Sequence, residues 1–205
     1  MPKSFSPEEK SLLRETLLQT GKELFNTLGL QKTTVQDLTD RVHIAKGSFY
    51  AFFESKEALY YEIYRREEKK LRGKVLMALY GQEFSAAAFR DFLLEAFYRI
   101  EEYPIIRRMY LEDEYRQVAR KLPASYLDEH TSEDISALTP LIKEWQAAGR
   151  MIHHDPEVIT SAIRAFFTLI LHKKDLGAEY FDRTVEFLAG CLAEKLIIEK
   201  GQNHD

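Results

Sequence analysis

Five consecutive residues at positions 46–50, Lys-Gly-Ser-Phe-Tyr, include side chains that can bond to nucleic acid. Lys46 can reach a base edge or a phosphate, Ser48 carries a hydroxyl, and Tyr50 carries a phenol that can donate to a phosphate oxygen. Gly47 lacks a side chain, so another molecule could approach its backbone closely. Each residue alone would be ordinary on a protein surface. Together, at the N-terminal end of a helix, they favour contacts in the major groove of DNA.

The residues before this segment predict a short helix. Thr33 or Thr34 is suited to cap its N-terminus. Val35, Leu38 and Val42 then recur at spacings of three and four, which is typical of an amphipathic helix. We therefore expect this helix to hold the segment at positions 46–50 from one side.

A second helix is predicted over residues 45–53, after a turn at His43 and Ile44. Phe49 and Phe53 are one turn apart and form its apolar face, so residues 46, 47, 48 and 50 would lie on the other face. A helical hairpin with a polar surface is the plainer alternative. The order of caps, helix lengths and outward residues favours a DNA-binding helix-turn-helix.

A third helix is expected to begin at Lys56, with Ser55 as its cap. The first N–H groups of a helix and the positive end of its dipole attract anions, so this helix start is a candidate phosphate clamp that Lys56 would strengthen. Thr34, at the start of the first helix of the motif, is a second candidate of the same kind.

The N-terminal 65 residues or so resemble the TetR family of transcriptional regulators. The resemblance covers an apolar first helix, a glycine, Thr-Thr-Val, and the segment that leads into the third helix. The matching residues are Leu24, Phe25, Gly29, Thr33-Thr34-Val35, Ile44, Lys46-Gly47-Ser48-Phe49-Tyr50, Phe53 and Ser55-Lys56-Glu57-Ala58-Leu59.

This resemblance implies an all-α homodimeric repressor that a small molecule releases from a double-stranded DNA operator. It implies an N-terminal three-helix domain with the helix-turn-helix and a C-terminal helical domain for ligand binding and dimerisation. The DNA contacts would fall on Thr34, Gln36, Lys46, Gly47, Ser48, Tyr50 and Lys56. Gln36 would face outward and could read adenine by a bidentate contact.

Three positions depart from the family pattern. His43 stands where the family has a turn glycine, so a positive φ there would strain the backbone, although His tolerates it better than a β-branched residue. Ala45 replaces the usual serine and removes a capping hydroxyl. Phe52 stands where the family often has a polar residue. These departures concern base preference more than fold.

The 205 residues are 45% hydrophobic, which is ample for a buried core. The single cysteine, Cys191, excludes a disulfide within the chain and fits a reducing cytoplasm. No run approaches the ~20 apolar residues of a membrane span, so we expect no membrane association. Residues 1–72 carry 13 Lys and Arg against 11 Asp and Glu, whereas residues 73–205 carry 16 against 22. The positive charge therefore lies on the side of the motif.

Helix-start and helix-stop residues predict the remaining organisation. The expected helices cover residues 7–28, 56–80, 86–99, 105–122, 132–148, 156–173 and 178–199, with a polar loop at 124–133. The DNA-binding domain would comprise residues 1–55, and the helix 56–80 would link it to an effector-binding and dimerisation domain over 56–205.

The last two predicted helices are apolar on more than one side. A helix of this kind is buried on two faces, so we expect the pair to form a four-helix bundle with the same pair of a second subunit. The alternative is that both are core helices of a monomer.

Aromatic residues are frequent between Leu59 and Ile170, which favours a hydrophobic effector. The candidate ligand-binding residues are Phe97, Tyr110, Trp145 and Phe167. The adjacent His153 and His154 are weak evidence for a metal, and we predict no metal or other cofactor.

Two other classes of function stand beside that of a regulator. An enzyme is not favoured, because no catalytic triad, phosphate-binding loop, zinc-ligand spacing or paired carboxylate motif stands out, and no catalytic residue is assigned. A helical protein–protein interaction module without DNA binding is the alternative to a regulator.

Overall fold

The computed structural model describes residues 6–79, 84–111, 114–123, 138–169 and 173–199. The prediction of an all-α fold is confirmed, and within these ranges the extended pairing is one isolated bridge between Met151 and Ile197. The helices are α1 (Pro7–Lys32), α2 (Val35–Arg41), α3 (Lys46–Phe49), α4 (Lys56–Leu79), α5 (Ala86–Arg99), α6 (Pro104–Leu111), α7 (Glu114–Ala119), α8 (138–147 as described), α9 (Pro156–Thr168), α10 (Lys173–Leu176) and α11 (Ala178–Leu196).

The first helix starts as its sequence predicts and ends differently. Ser6 accepts from the backbone N–H of Glu9, and the Glu9 side chain accepts from the N–H of Ser6, which completes a capping box. Gly29, with φ of 78°, leaves the helical conformation, but one more helical turn follows to Lys32. After this break Leu30 is the buried residue, with 1% of its surface exposed, whereas Leu28 is 43% exposed.

The second helix of the motif, α3, is shorter than the predicted span of 45–53. Helix α3 ends at Phe49, and the N–H groups of Ala51 and Phe52 bond to carbonyls three residues back, as in a tight turn. Phe49 and Phe53 are nevertheless buried, with ring centroids 5.8 Å apart. Packing of these two rings, which α3 and the turn place on one side, therefore holds the segment.

The chain groups into two compact units, one within Met1–Glu68 and Tyr103–Leu122, the other within Lys69–Glu102 and Pro123–Asp205. In the first unit, α1, α2 and α3 pack around buried leucine and phenylalanine side chains. By packing, α6 and α7 and the start of α4 therefore group with the N-terminal helices. The functional boundary expected after residue 55 remains a prediction.

In the second unit, α5 packs along α11, and α9 also contacts α11. Phe97 of α5 meets Phe166 of α9 and Phe181 of α11, with ring centroids 5.5 and 5.9 Å away. Near the start of α5, Phe89 meets Trp145 at 6.2 Å, and Phe84 meets Trp145 at 5.0 Å. Aromatic packing thus joins these helices at both ends of α5.

Helix starts with a capping side chain agree with prediction, and several ends do not. Ser85 and Asp155 cap α5 and α9. Helix α9 ends at Thr168 and not Lys173, because the chain tightens at Leu169. Helix α11 ends at Leu196 and not Glu199, because Ile197 is extended and pairs with Met151.

Several expected elements lie wholly or partly outside the described residues, among them residue 80 of the helix expected over 56–80 and residues 170–172 of the one expected over 156–173. The segment expected to be one helix over 105–122 contains α6 and α7, separated by residues 112–113, which are outside the described ranges. The loop predicted at 124–133 and the start of the helix predicted at 132 are also outside them. Gly149, with φ of 67°, follows the helical residues 138–147, as expected for a helix end.

Two leucines of α1 test which side of this helix carries the core. Leu17 is 0% exposed and Leu12 is 70% exposed. Leu17→Ala should lower the free energy of unfolding by about 2–5 kcal/mol because it leaves a cavity. Leu12→Ala is the matched control and should change it by less than about 0.5 kcal/mol. Urea denaturation measures both; an equal loss in the two variants would contradict this packing.

Candidate nucleic-acid interface

The start of α2 is a complete capping box. The Thr34 hydroxyl oxygen accepts from the Asp37 N–H at 3.1 Å, while the Thr34 hydroxyl and N–H both donate to Asp37 Oδ2, at 2.7 and 2.9 Å. Both donors of Thr34 are therefore engaged by Asp37. Its predicted phosphate contact remains a prediction, and it would have to share these groups.

The capping box also makes the start of α2 sensitive to acid. The hydroxyl and then the N–H of Thr34 hold the pKa of the Asp37 carboxyl below its usual value. A depressed pKa means that the folded state favours the charged carboxylate. The contribution of Asp37 is therefore present above the usual carboxyl pKa of about 4 and is lost as pH falls through the lowered value.

The turn between α2 and α3 contains the strain that its sequence suggested. His43 has φ of 56°, and it is the one non-glycine residue with positive φ in the described ranges. Ala45 occupies the N-cap of α3 and makes no side-chain cap. The turn is closed instead by backbone bonds from the N–H groups of His43 and Ile44 to carbonyls of α2. Helix α3 thus begins without a polar side chain over its N-terminus.

We call Gln36, Lys46, Gly47, Ser48 and Tyr50 the recognition surface. All of them except Ser48, which is half-buried, are exposed. Tyr50 is 55% exposed, and its ring meets that of Phe49 edge-on at 5.4 Å. The buried Phe49 therefore supports the Tyr50 ring at the surface.

Packing inside the molecule does not require a glycine at position 47. A Cβ built on this residue would meet no atom within 4 Å. Its φ is not positive either, so neither packing nor backbone conformation requires glycine here. The missing side chain is compatible with close approach of another molecule to this backbone.

Gln36 is held on the outside of α2. Its Nε2 donates to Asp40 Oδ1 at 2.6 Å, one turn further along. This bond uses only one of the two amide hydrogens, and the side-chain carbonyl oxygen does not take part. The groups required for a bidentate contact with adenine would become available if the bond to Asp40 were exchanged.

Lys56 has partners that its sequence position did not suggest. Its Nζ donates to the carbonyl oxygens of Leu30 at 2.7 Å and Thr33 at 2.8 Å, and Gln31 O is 3.5 Å away. The ammonium group therefore binds the carbonyls at the end of α1. Ser55 caps α4 as predicted, since its Oγ accepts from Ala58 N–H. The phosphate contact of Lys56 remains a prediction beside this observed role.

Two residues that bear on this surface were not selected from sequence. Arg41 is exposed at the end of α2, beside the turn, where a solvent-facing cation could meet a phosphate. Glu114 is buried and accepts from the N–H of Leu30, 84 positions away along the chain. Charge alone could have found Arg41, but nothing local to Glu114 indicates its partner.

The candidate ligand-binding residues fall into two aromatic clusters. Phe97, which is buried, and Phe167, which is half-buried, both contact Phe166, whereas Trp145 meets Phe84 and Phe89. The side chain of Tyr110 lies outside what the structure describes. Across the described ranges, no group of three or more His, Cys, Asp or Glu residues could hold a metal ion. In those ranges, no helix combines the length and apolar character needed to cross a bilayer.

The fold and the recognition surface define an all-helical protein with an N-terminal helix-turn-helix. Residues 17–63 match the sequence profile of the bacterial regulatory proteins of the tetR family. A crystal structure of a TetR-family transcriptional regulator from Pectobacterium atrosepticum superposes with a TM-score of 0.72 at 19% identity, covering 96% of this chain and 100% of that one. Residues 17–63 of the chain therefore carry the N-terminal signature of the tetR family, and the fold is that of a TetR-family regulator.

Two curated relatives match the N-terminal part of the chain. The HTH-type transcriptional repressor KstR2 of Mycolicibacterium smegmatis is 38% identical over 60 residues, which is 29% of this chain and 29% of that protein. The HTH-type negative transcriptional regulator IcaR of the biofilm operon icaADBC in Staphylococcus aureus is 29% identical over 100 residues, or 49% of this chain and 53% of that protein. The chain thus matches a third to a half of these relatives.

Gly47→Ala separates an interface role from a structural one. Because a Cβ at this position meets no atom, the free energy of unfolding should be unchanged or raised by up to about 1 kcal/mol. Affinity for a DNA duplex that the wild-type protein selects should fall, because the methyl group would stand between backbone and DNA. Unfolding and fluorescence anisotropy measure the two effects. Unchanged affinity would show that DNA does not approach Gly47.

Proposed function

We propose that this protein is a DNA-binding transcriptional regulator that binds a double-stranded operator as a homodimer, most simply as a repressor. The observation that carries the proposal is the recognition surface, whose residues lie on α2, on α3 and directly after α3. Lys46, Gly47 and Tyr50 are exposed there, and Gly47 has no internal reason to lack a side chain. KstR2 and IcaR, which match this region, are named as a transcriptional repressor and a negative transcriptional regulator. A cytoplasmic location follows from this role, as part of the same proposal.

The proposed dimer is supported by exposed apolar faces in the second unit. Helix α11 buries Phe181, Val185 and Ala189 and exposes Tyr180 and Phe187. Helix α9, which contacts α11, exposes Val158 and the small residues at positions 161 and 165. Large side chains beside small ones allow close packing of helices, and a monomer would leave this apolar surface in water.

A two-fold dimer fits the geometry of DNA. Its two copies of α3 could enter successive major grooves if they were about 34–36 Å apart, one turn of the duplex. The α9–α11 pair would then form a four-helix bundle with its symmetry mate. Each subunit would read one half of a palindromic operator.

The proposed effector is a small hydrophobic molecule bound in the helical body. The aromatic clusters around Phe97 and Trp145 support this class of ligand. One structural neighbour with a TM-score of 0.51 is the ketosteroid transcriptional regulator KstR2 of Mycobacterium tuberculosis, which is 20% identical. We propose that the effector shifts α4 and lowers operator affinity; a coupling of about 1–3 kcal/mol would change it about 5–150-fold.

Selection of duplexes from a random 30-base-pair library tests DNA binding directly. The wild-type protein should enrich a palindromic sequence, and Lys46→Ala should then weaken binding to it about tenfold or more. Lys143→Ala removes the same charge from the exposed face of α8 and is the matched control. Fluorescence anisotropy gives the affinities at several salt concentrations. If no sequence were enriched, and a pull-down returned a protein instead, the chain would be an interaction module.

The dimer can be broken at one exposed side chain. Phe187 is 70% exposed, and Phe187→Glu would put a charge into the proposed α9–α11 interface. We expect monomers by sedimentation equilibrium at a concentration where wild-type protein is dimeric, with helical content by circular dichroism unchanged. The control is Lys143→Glu, which changes charge away from this face.

Labelling of Cys191 provides an independent test of the same interface. It is exposed on α11, one turn after Phe187, and it is the only cysteine of the chain. A dimer should slow labelling of this thiol by a maleimide, and Phe187→Glu should restore fast labelling. Fast labelling of a wild-type protein that sediments as a dimer would place the interface elsewhere.

A further inference from the structure

The junction between α1 and α2 holds a carboxylate from a distant part of the chain. Glu114, the first residue of α7, is 5% exposed. Its Oε1 accepts from the backbone N–H of Leu30 at 2.9 Å, and its Oε2 accepts from the hydroxyl of Tyr60. The carbonyl oxygen of Ile105 is 3.2 Å from the same hydroxyl. One side chain of α7 thus joins the end of α1 to α4.

The shape of α1 at this point depends on the same carboxylate. Gly29 breaks the helix with φ of 78°, and a Cβ on it would lie 2.9 Å from Glu114 Oε1 and 2.8 Å from Arg108 Nη1. Contacts this short exclude a side chain, and a positive φ is adopted without strain mainly by glycine. The space and the backbone conformation at this position therefore both require glycine. The break therefore brings the N–H of Leu30 onto Glu114.

A cation holds the opposite polar groups of the junction. Lys56 Nζ donates to the carbonyl oxygens of Leu30 and Thr33. The peptide groups of Leu30 are therefore hydrogen-bonded on both sides, the N–H to Glu114 and the C=O to Lys56. Thr34, which directly follows Thr33, caps α2. The direction in which α2 leaves α1, and with it the position of α3, is thus set between these two charged side chains.

We infer that Glu114 is a positioning residue for DNA binding: by holding Leu30 it sets the angle of the helix-turn-helix. The inference rests on the proposed function. It adds a residue outside the helix-turn-helix on which the proposed DNA binding depends. The length of the side chain is what matters, because the bond to Leu30 depends on reach. The charge is not needed for this bond, since a neutral amide could accept the same N–H.

Two conservative substitutions separate reach from charge. Glu114→Gln keeps the length, its carbonyl oxygen can accept from Leu30, and its amide can donate to Tyr60 while that hydroxyl turns to Ile105. Glu114→Asp keeps the charge but is one methylene shorter and cannot span the distance. We expect Gln to retain affinity for the selected duplex within about threefold and Asp to lose about tenfold or more, with a scrambled duplex affected much less. A tenfold change corresponds to about 1.4 kcal/mol.

Hydrogen exchange adds a readout that does not need DNA. The amides of residues 30–41 should exchange faster in the Asp variant, while those of α11 should not change. If wild-type protein selected no duplex, the proposed function would fail, and exchange alone would still decide whether Glu114 holds the junction. The inference is overturned if the Asp variant keeps wild-type exchange and affinity, or if it loses selected and scrambled duplex binding in equal proportion.

Discussion

Burial of Phe49 is the constraint on which the recognition surface depends. Helix α3 has four residues, and a helix of that length has no independent stability in water. Its N-cap, Ala45, contributes no side-chain bond, and the preceding turn contains the strained His43. The ring of Phe49, fully buried beside Phe53, therefore supplies the free energy that local bonds do not. Because Phe49 points into the core, Lys46, Gly47 and Tyr50 are held at the surface.

The beginnings of helices could be predicted from sequence, and many of their ends could not. Ser6, Thr34, Ser55 and Ser85 each carry a hydroxyl that accepts from a nearby N–H, so the signal is local. The end of α11 is set by pairing of Ile197 with Met151, far back in the sequence, and α3 ends as the chain tightens around buried rings. Interactions of this kind produce no periodic pattern in the sequence.

The candidate site shows the same division. The exposure of Lys46, Gly47 and Tyr50 follows from positions on one short helix, and sequence was enough to anticipate it. The bonds of Lys56 to the end of α1, and of Glu114 to Leu30, join residues 23 to 84 positions apart. No spacing rule connects such residues, so the sequence indicated neither the bonds of Lys56 at the end of α1 nor the bond of Glu114 to Leu30.

The distribution of ion pairs limits how much positive charge can serve DNA binding. In the N-terminal helices, Arg14 pairs with Glu62, Lys22 with Glu67, and Arg66 with both Glu15 and Glu62. Three of these four pairs join α1 to α4, and the fields of such paired cations beyond about 10 Å are further reduced by salt. The cations at the recognition surface and its adjacent turn are Lys46 and Arg41. Non-specific attraction to phosphates should therefore be weak, and discrimination between DNA sequences must come mainly from the fit of α3 in the groove.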